Sequence, residues 1–169
     1  MATITLGGNE IHTVGELPAV GEAAPEVELT NTDLEDVSLE AYEGKYLILN
    51  IFPSVDTDVC AASVRTFNER AADLAGVVVL SVSADLPPAH KRFCANEGIT
   101  NADGLSTFRS DFPTTWGVKI VDGPLQGLCA RAVVVVNGEG QVVHSQQVPE
   151  IAEEPDYDAV LATLAPATV

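Results

Sequence analysis

A cysteine attacks as its thiolate, so thiol chemistry needs a local setting that favours the anion. The run Phe52-Pro53-Ser54-Val55-Asp56-Thr57-Asp58-Val59-Cys60 supplies one. It places Cys60 in the first turn of a helix leaving the C-terminal end of an apolar strand, where open α/β sheets put their ligand sites. Thr57 falls at the N-cap, which makes Cys60 the third helical residue. Its sulfur then lies near free backbone N–H groups at the positive end of the helix dipole. A plainer reading stands beside this one. Cys60 also lies on the apolar stripe of its own helix, and buried cysteine commonly serves as a small hydrophobe. The strand-Pro-loop-Thr-helix setting favours the reactive thiol.

Two more residues could complete such a site. Cys94 has His90 and Glu97 as helical neighbours, which predicts a polar, accessible face suited to a resolving cysteine. The same placement suits an incidental surface thiol. Arg131 precedes the apolar run Ala132–Val136 and shares a face with Val133 and Val135 by strand alternation. It is either a rim charge or a cation beside Cys60 that favours the thiolate and stabilises a departing oxygen. Cys129 reads as strand packing. An odd count of three cysteines with no CxxC pair argues against a disulfide framework. His12, His90 and His144 are scattered, so zinc has no spacing support.

The elements that must position these residues follow from periodicity. Residues 2–21 read as a small hairpin, and Val27 and Leu29 as a short extended piece. Tyr46–Phe52 is a strand buried on both faces, stopped by Pro53. Cys60, Val64, Phe67, Ala71 and Leu74 mark one face of a helix over Asp58–Ala75, ended by Gly76. Val77–Ser83 is a second buried strand, and Pro87–Glu97 a helix closed by Gly98. A short strand at Leu105–Phe108 and a helical turn before Trp116-Gly117 come next. Leu128–Val136 and Gln141–Gln147 form a hairpin around Asn137–Gly140, and a helix from Pro155 to Leu164 closes the chain. Strands alternating with helices predict one α/β domain over residues 1–169.

Composition bounds the function. The 169 residues are 46% hydrophobic and 20% charged, a globular balance. The longest apolar runs fall far short of the ~20 residues that span a bilayer, and no N-terminal signal pattern is present, so a soluble cytoplasmic protein is expected. A net charge of −17 repels phosphate backbones and anionic lipid, which excludes nucleic acid and membrane as natural partners.

These residues carry a family resemblance over nearly the whole chain. Pro53-Ser-Val-Asp-Thr57-x-Val-Cys60 resembles the peroxidatic motif of bacterial thiol peroxidases, the atypical two-cysteine branch of the peroxiredoxins. Arg92-Phe93-Cys94-x-x-Glu97-Gly98-Ile99 resembles that family's resolving-cysteine helix, and Asp122–Ala132 the segment carrying its active-site arginine. The resemblance implies a thioredoxin-like fold, with a central mixed sheet, flanking helices and an N-terminal β-hairpin. It also implies a homodimer, no metal or organic cofactor, hydroperoxide as substrate and thioredoxin as reductant. Residue by residue, it implies that Pro53 shields the pocket and Thr57 hydrogen-bonds thiolate and peroxide. Cys60 attacks, Arg131 holds the thiolate, and Cys94 resolves to a Cys60–Cys94 disulfide. Cys129 stands where the family pattern has an apolar residue. Val55, Val59 and Trp116 are the apolar neighbours that would admit an alkyl peroxide. Three rival readings are a protein dithiol–disulfide oxidoreductase, a non-catalytic binding or holdase domain, and a one-cysteine peroxidase with Cys94 idle.

Overall fold

A computed structural model describes residues 1–71, 74–99 and 102–164. Strands β1 (Thr3–Leu6) and β2 (Asn9–His12) form a separate antiparallel hairpin, as expected. The main sheet adds β3 (Glu28–Thr30), β4 (Asp36–Ser38), β5 (Tyr46–Ile51), β6 (Val77–Ser83), β7 (Ala102–Ser106), β8 (Ala132–Val136) and β9 (Val142–Gln147). Its order is β4-β3-β7-β6-β5-β8-β9. β5, β6 and β7 run parallel, while β3, β4, β8 and β9 pair antiparallel with their neighbours, so the sheet is mixed. The helices are α1 (Asp58–Ala71), α2 (Pro87–Glu97), the single turn α3 (Phe112–Thr115) and α4 (Tyr157–Ala162).

Strand alternation divides the core in two. On one face Ile48, Val79, Val133 and Val135 pack against Cys60, Val64 and Phe67 of α1, Phe93 of α2 and Val160 of α4. On the other face Leu47, Leu49, Leu80, Val134 and Val136 pack against Leu29, Phe112 and Trp116. Burying residues on both faces explains why β5 and β8 read as continuous apolar runs. A third cluster of Ile4, Ile11, Ile120, Ala130 and Ile151 seats the hairpin.

Several expected boundaries change. The helix expected over Asp58–Ala75 is seen as Asp58–Ala71; residues 72 and 73 lie outside the described residues, and Leu74 follows the helix while still packing on the same core. Gly76, at φ 76°, therefore serves the turn into β6 rather than capping the helix. Gly98 does cap α2, with φ 67° and its N–H donated to the Cys94 carbonyl. The strand expected at Leu105–Phe108 begins earlier, at Ala102, and Phe108 lies beyond it and exposed. The Leu128–Val136 strand is shorter than expected. Leu128–Arg131 lies outside β8, and Cys129 only bridges Lys119. The closing helix starts at Tyr157 because the Asp156 carboxylate caps it by accepting from the Ala159 N–H. β4 and the 3-10 turn Leu39–Tyr42 carried no apolar alternation to announce them.

Candidate active site

β5 ends at Ile51, and the chain turns through Phe52–Thr57 into α1. The register Ile51↔Ala132 brings the start of β8 to the end of β5, so Arg131 stands beside this loop. Its side chain is 1% exposed, and Nη2 donates to Cys60 Sγ at 3.1 Å. Nε donates to the Ile151 carbonyl at 2.7 Å, which fixes the plane of the guanidinium. Nη1 is buried with no hydrogen-bond partner. Among the described residues no carboxylate pairs with Arg131, and the side-chain acceptor of its guanidinium is Cys60 Sγ. A buried guanidinium is costly unless something in the site uses it.

Cys60 itself is 0% exposed and packs within the α1-side core. Both readings of this residue are therefore physically true: it sits on an apolar stripe, and it faces a cation. Its backbone is held by a polar seam that periodicity did not reveal. Asn50 Nδ2 donates to Ser63 Oγ at 3.1 Å, and Ser63 Oγ donates to the Cys60 carbonyl at 2.7 Å. Asn50 is a polar interruption in an otherwise apolar strand, and that was the available signal.

Pro53 is buried in the loop. Thr57 stands directly before α1, and its carbonyl accepts the Ala61 N–H at 3.0 Å, as an N-cap residue's does. Its hydroxyl donates to the Ser54 carbonyl at 3.1 Å, so its single hydrogen is already committed and is not available to the sulfur. The Asp85 carboxylate holds the same loop from β6's end. Oδ2 accepts the Val55 N–H and Oδ1 accepts the Ser54 hydroxyl, both at 2.8 Å. Asp85 was not singled out from the sequence.

Cys94 differs from expectation. It is half-buried against the α1-side core rather than on an open polar face, because His90, one turn earlier, is 1% exposed and points inward. Burial, then the nearby Asp103 carboxylate, push the Cys94 thiol above its usual range. All three cysteines are free thiols. Cys129 is buried in the opposite core layer, and burial raises its thiol to about 12. This fits a packing role. Trp116 also lies in that opposite layer, stacked on Phe112 at 4.9 Å with Nε1 donating to the Pro25 carbonyl. It is not a neighbour of the Cys60 loop, whereas Val55 is. A cleft of about 430 Å³ opens between the two cysteine helices, lined by Val55, Thr57, Ala61, Arg65, Arg92 and Phe93 among others. A larger cavity of about 740 Å³ lies at the other end of the sheet, by Leu47 and Val136, and no cysteine lines either space.

Among the described residues no group of His, Cys, Asp or Glu is arranged to hold a metal, and no helix is long and apolar enough to cross a membrane.

The arrangement can be set against known proteins. The Redoxin family profile matches residues 19–161. The thiol peroxidase of Mycobacterium tuberculosis is 57% identical over 164 residues, covering 97% of this chain and 99% of that protein. The thiol peroxidase of Corynebacterium glutamicum is 52% identical over the same shares. The crystal structure of a peroxiredoxin-like protein from Aquifex aeolicus superposes with a TM-score of 0.91 at 39% identity, covering 98% of this chain and 97% of that one. A mixed sheet with its free cysteine at a helix start, full-length similarity and a shared fold lead to one conclusion: the chain belongs to the Redoxin family, in its thiol peroxidase branch, and is a thiol-dependent peroxidase.

Proposed function

We propose that Cys60 is the peroxidatic nucleophile, Arg131 its electrostatic partner and Cys94 the resolving thiol. The observation that carries this reading is the buried Arg131, with Nη2 on Cys60 Sγ at 3.1 Å and Nη1 still without a partner. That spare donor, on the same guanidinium as the Nη2 bound to the sulfur, is the group left free to meet a peroxide oxygen. The thiolate of Cys60 attacks the terminal oxygen and the O–O bond breaks. The departing alkoxide or hydroxide takes a proton and leaves as alcohol or water, and Cys60 is oxidised to the sulfenic acid. Arg131 Nη1 donates to the oxygen that gains negative charge, the kind of fixed donor that acts most strongly in a dry site. Thr57, whose hydrogen goes to Ser54, offers its lone pairs to the peroxide O–H. Pro53 walls the loop against water. Cys94 then displaces water from the sulfenic acid to give the Cys60–Cys94 disulfide, and an external dithiol of the thioredoxin type restores both thiols.

The peroxide enters by the cleft beside Val55 and Ala61, which suits hydrogen peroxide and organic hydroperoxides. The chain acts in the cytoplasm, as one domain over residues 1–169, and as a homodimer. No metal or organic cofactor is required, since the two thiols and the peroxide balance the electrons by themselves.

The test is intact mass after one equivalent of cumene hydroperoxide, on the wild type and on Cys94→Ser. Loss of two hydrogens in the wild type, with a Cys60 sulfenic acid trapped in the variant, is expected. An unchanged wild-type mass with three free thiols would sink the assignment.

A further inference from the structure

We propose that Asp85, Ser83 and His90 form a latch that ties the loop before Cys60 to the helix carrying Cys94, and that releasing it sets the rate of disulfide formation. This rests on the assignment of Cys94 as the resolving thiol.

The latch is continuous. Asp85 accepts from Ser54 and Val55 on the peroxidatic side, each at 2.8 Å. The Ser83 hydroxyl donates to Asp85 Oδ2. A hydroxyl has one hydrogen, so at the 3.0 Å contact with His90 Nε2 the imidazole is the donor. His90 lies four residues before Cys94 on α2, so the chain of bonds ends one helical turn from the second thiol. The ring's seat is made by Gly104, where a Cβ would come within 2.8 Å of His90 Cβ, and by Phe52, whose ring centroid is 6.5 Å away. Two ion pairs span the same gap on the outside, Arg65–Glu97 at 3.1 Å and Arg92–Asp56 at 3.6 Å. They are largely exposed, so they hold weakly and salt screens them. The latch is buried at Ser83–His90 and partly buried at Asp85, so it is screened less.

Why a latch matters follows from disulfide geometry. The bond needs Cα atoms within about 7 Å of each other, on side chains that face. Cys60 is fully buried on α1 and fixed to Arg131, while Cys94 is half-buried on α2. On this proposal one segment leaves its seat for the bond to form. Movement of the loop breaks the Asp85 bonds, and movement of α2 breaks the His90–Ser83 bond. Asp85, Ser83 and His90 are therefore positioning residues for the resolving step.

The experiment is rapid-quench intact mass with thiol blocking, on wild type, Asp85→Asn and Ser83→Ala. It follows the sulfenic acid as it partitions between disulfide and, at rising hydrogen peroxide, sulfinic acid. Both variants are expected to form the disulfide about tenfold faster and to need about tenfold more peroxide for over-oxidation. Their rate of sulfenic acid formation should fall or stay level, a reversal of sign that general loosening of the active site does not produce. Val134→Ala, in the opposite core layer, controls for lost stability and should leave resolution unchanged. Resolution at the wild-type rate in both variants overturns the latch. So does equal acceleration by Val134→Ala. A wild type that oxidises without forming the Cys60–Cys94 bond overturns the resolver assignment instead.

Discussion

Replacing Arg131 by Met separates the catalytic and structural roles of a buried cation. Met has similar length and reach without charge or donors. The substitution removes the 3.1 Å bond to Cys60 and the unpartnered Nη1 together. A charged donor lost from a developing oxyanion costs about 3 to 4 kcal/mol, or on the order of 10² to 10³ in rate. Stability should move the other way or not at all. Among the described residues Arg131 has no carboxylate partner, so removing it leaves no carboxylate unpaired. The Ile151 carbonyl loses a donor, worth about 1 to 3 kcal/mol. The relief of burying a guanidinium offsets that loss, as when buried ion pairs are replaced by apolar side chains. The net change should lie within about 1 kcal/mol. Single-turnover peroxide consumption by stopped flow, beside a thermal melt, measures both. A rate loss under tenfold would refute the electrostatic role. A large loss matched by a collapsed melting temperature would mean that Arg131 holds the fold rather than the transition state.

The remaining expectations are local. Asn50→Ala removes the donor to Ser63, which in turn fixes the Cys60 carbonyl. It should cost about 1 to 2 kcal/mol and lower the single-turnover rate; an unchanged rate would show that this seam does not position Cys60. Cys129, raised to about 12 by burial, should resist iodoacetamide at mild alkaline pH until the protein unfolds; labelling in the folded state would contradict its packing role. Glu150 accepts from the backbone N–H groups of Ala152 and Gly8, which hold its carboxyl down at about 2. A folded value below the unfolded value of about 4.3 means the tether is fully present above that pH and is lost as pH falls toward about 2. Protection of the Thr3–His12 amides, taken against their intrinsic exchange rate at each pH, should therefore fall over that window and be lower already at neutral pH in Glu150→Gln. Protection independent of both would mean that the hairpin is held by its apolar seat and its backbone bonds to residues such as Pro149 and Ile151, without help from Glu150.

Much of this was readable before any coordinates. β5 and α1 announce themselves by period, and Arg131 shares a face with Val133 and Val135, which places it on the Cys60 side as alternation requires. The same rule fails two residues earlier. Cys129 should share that face by alternation but packs in the opposite layer, because the chain is not in β8 before Ala132. What periodicity missed has a common cause. Asp85, Ser83, Asn50 and Ser63 act through hydrogen bonds between elements distant in sequence, and polar residues leave no periodic trace of their partners. His90 shows the cost of that blindness. Helical spacing made it a polar neighbour of Cys94, yet an inward turn onto Ser83 buries it and takes Cys94's face half out of water.

That half-burial orders the chemistry. Attack on peroxide and attack on a sulfenic acid both require a thiolate. Cys60 has a guanidinium at 3.1 Å, whereas Cys94 has burial and the Asp103 carboxylate, which both oppose its ionisation. On the proposed assignment, Cys60 is the thiol that meets peroxide in the folded, reduced protein. On the proposed latch, Cys94 becomes a competent nucleophile when its helix end leaves the core and both opposing influences relax, the same movement that latch release allows. On that assignment electrostatics and the latch favour one order of events: oxidation at Cys60 with the site closed, then opening, then resolution. A consequence is that peroxide should not oxidise Cys94 in Cys60→Ser at concentrations that saturate the wild type. Intact mass of that variant, showing no added oxygen, is the expected result. Oxygen uptake at Cys94 on the wild-type timescale would show that burial and Asp103 do not keep the second thiol silent.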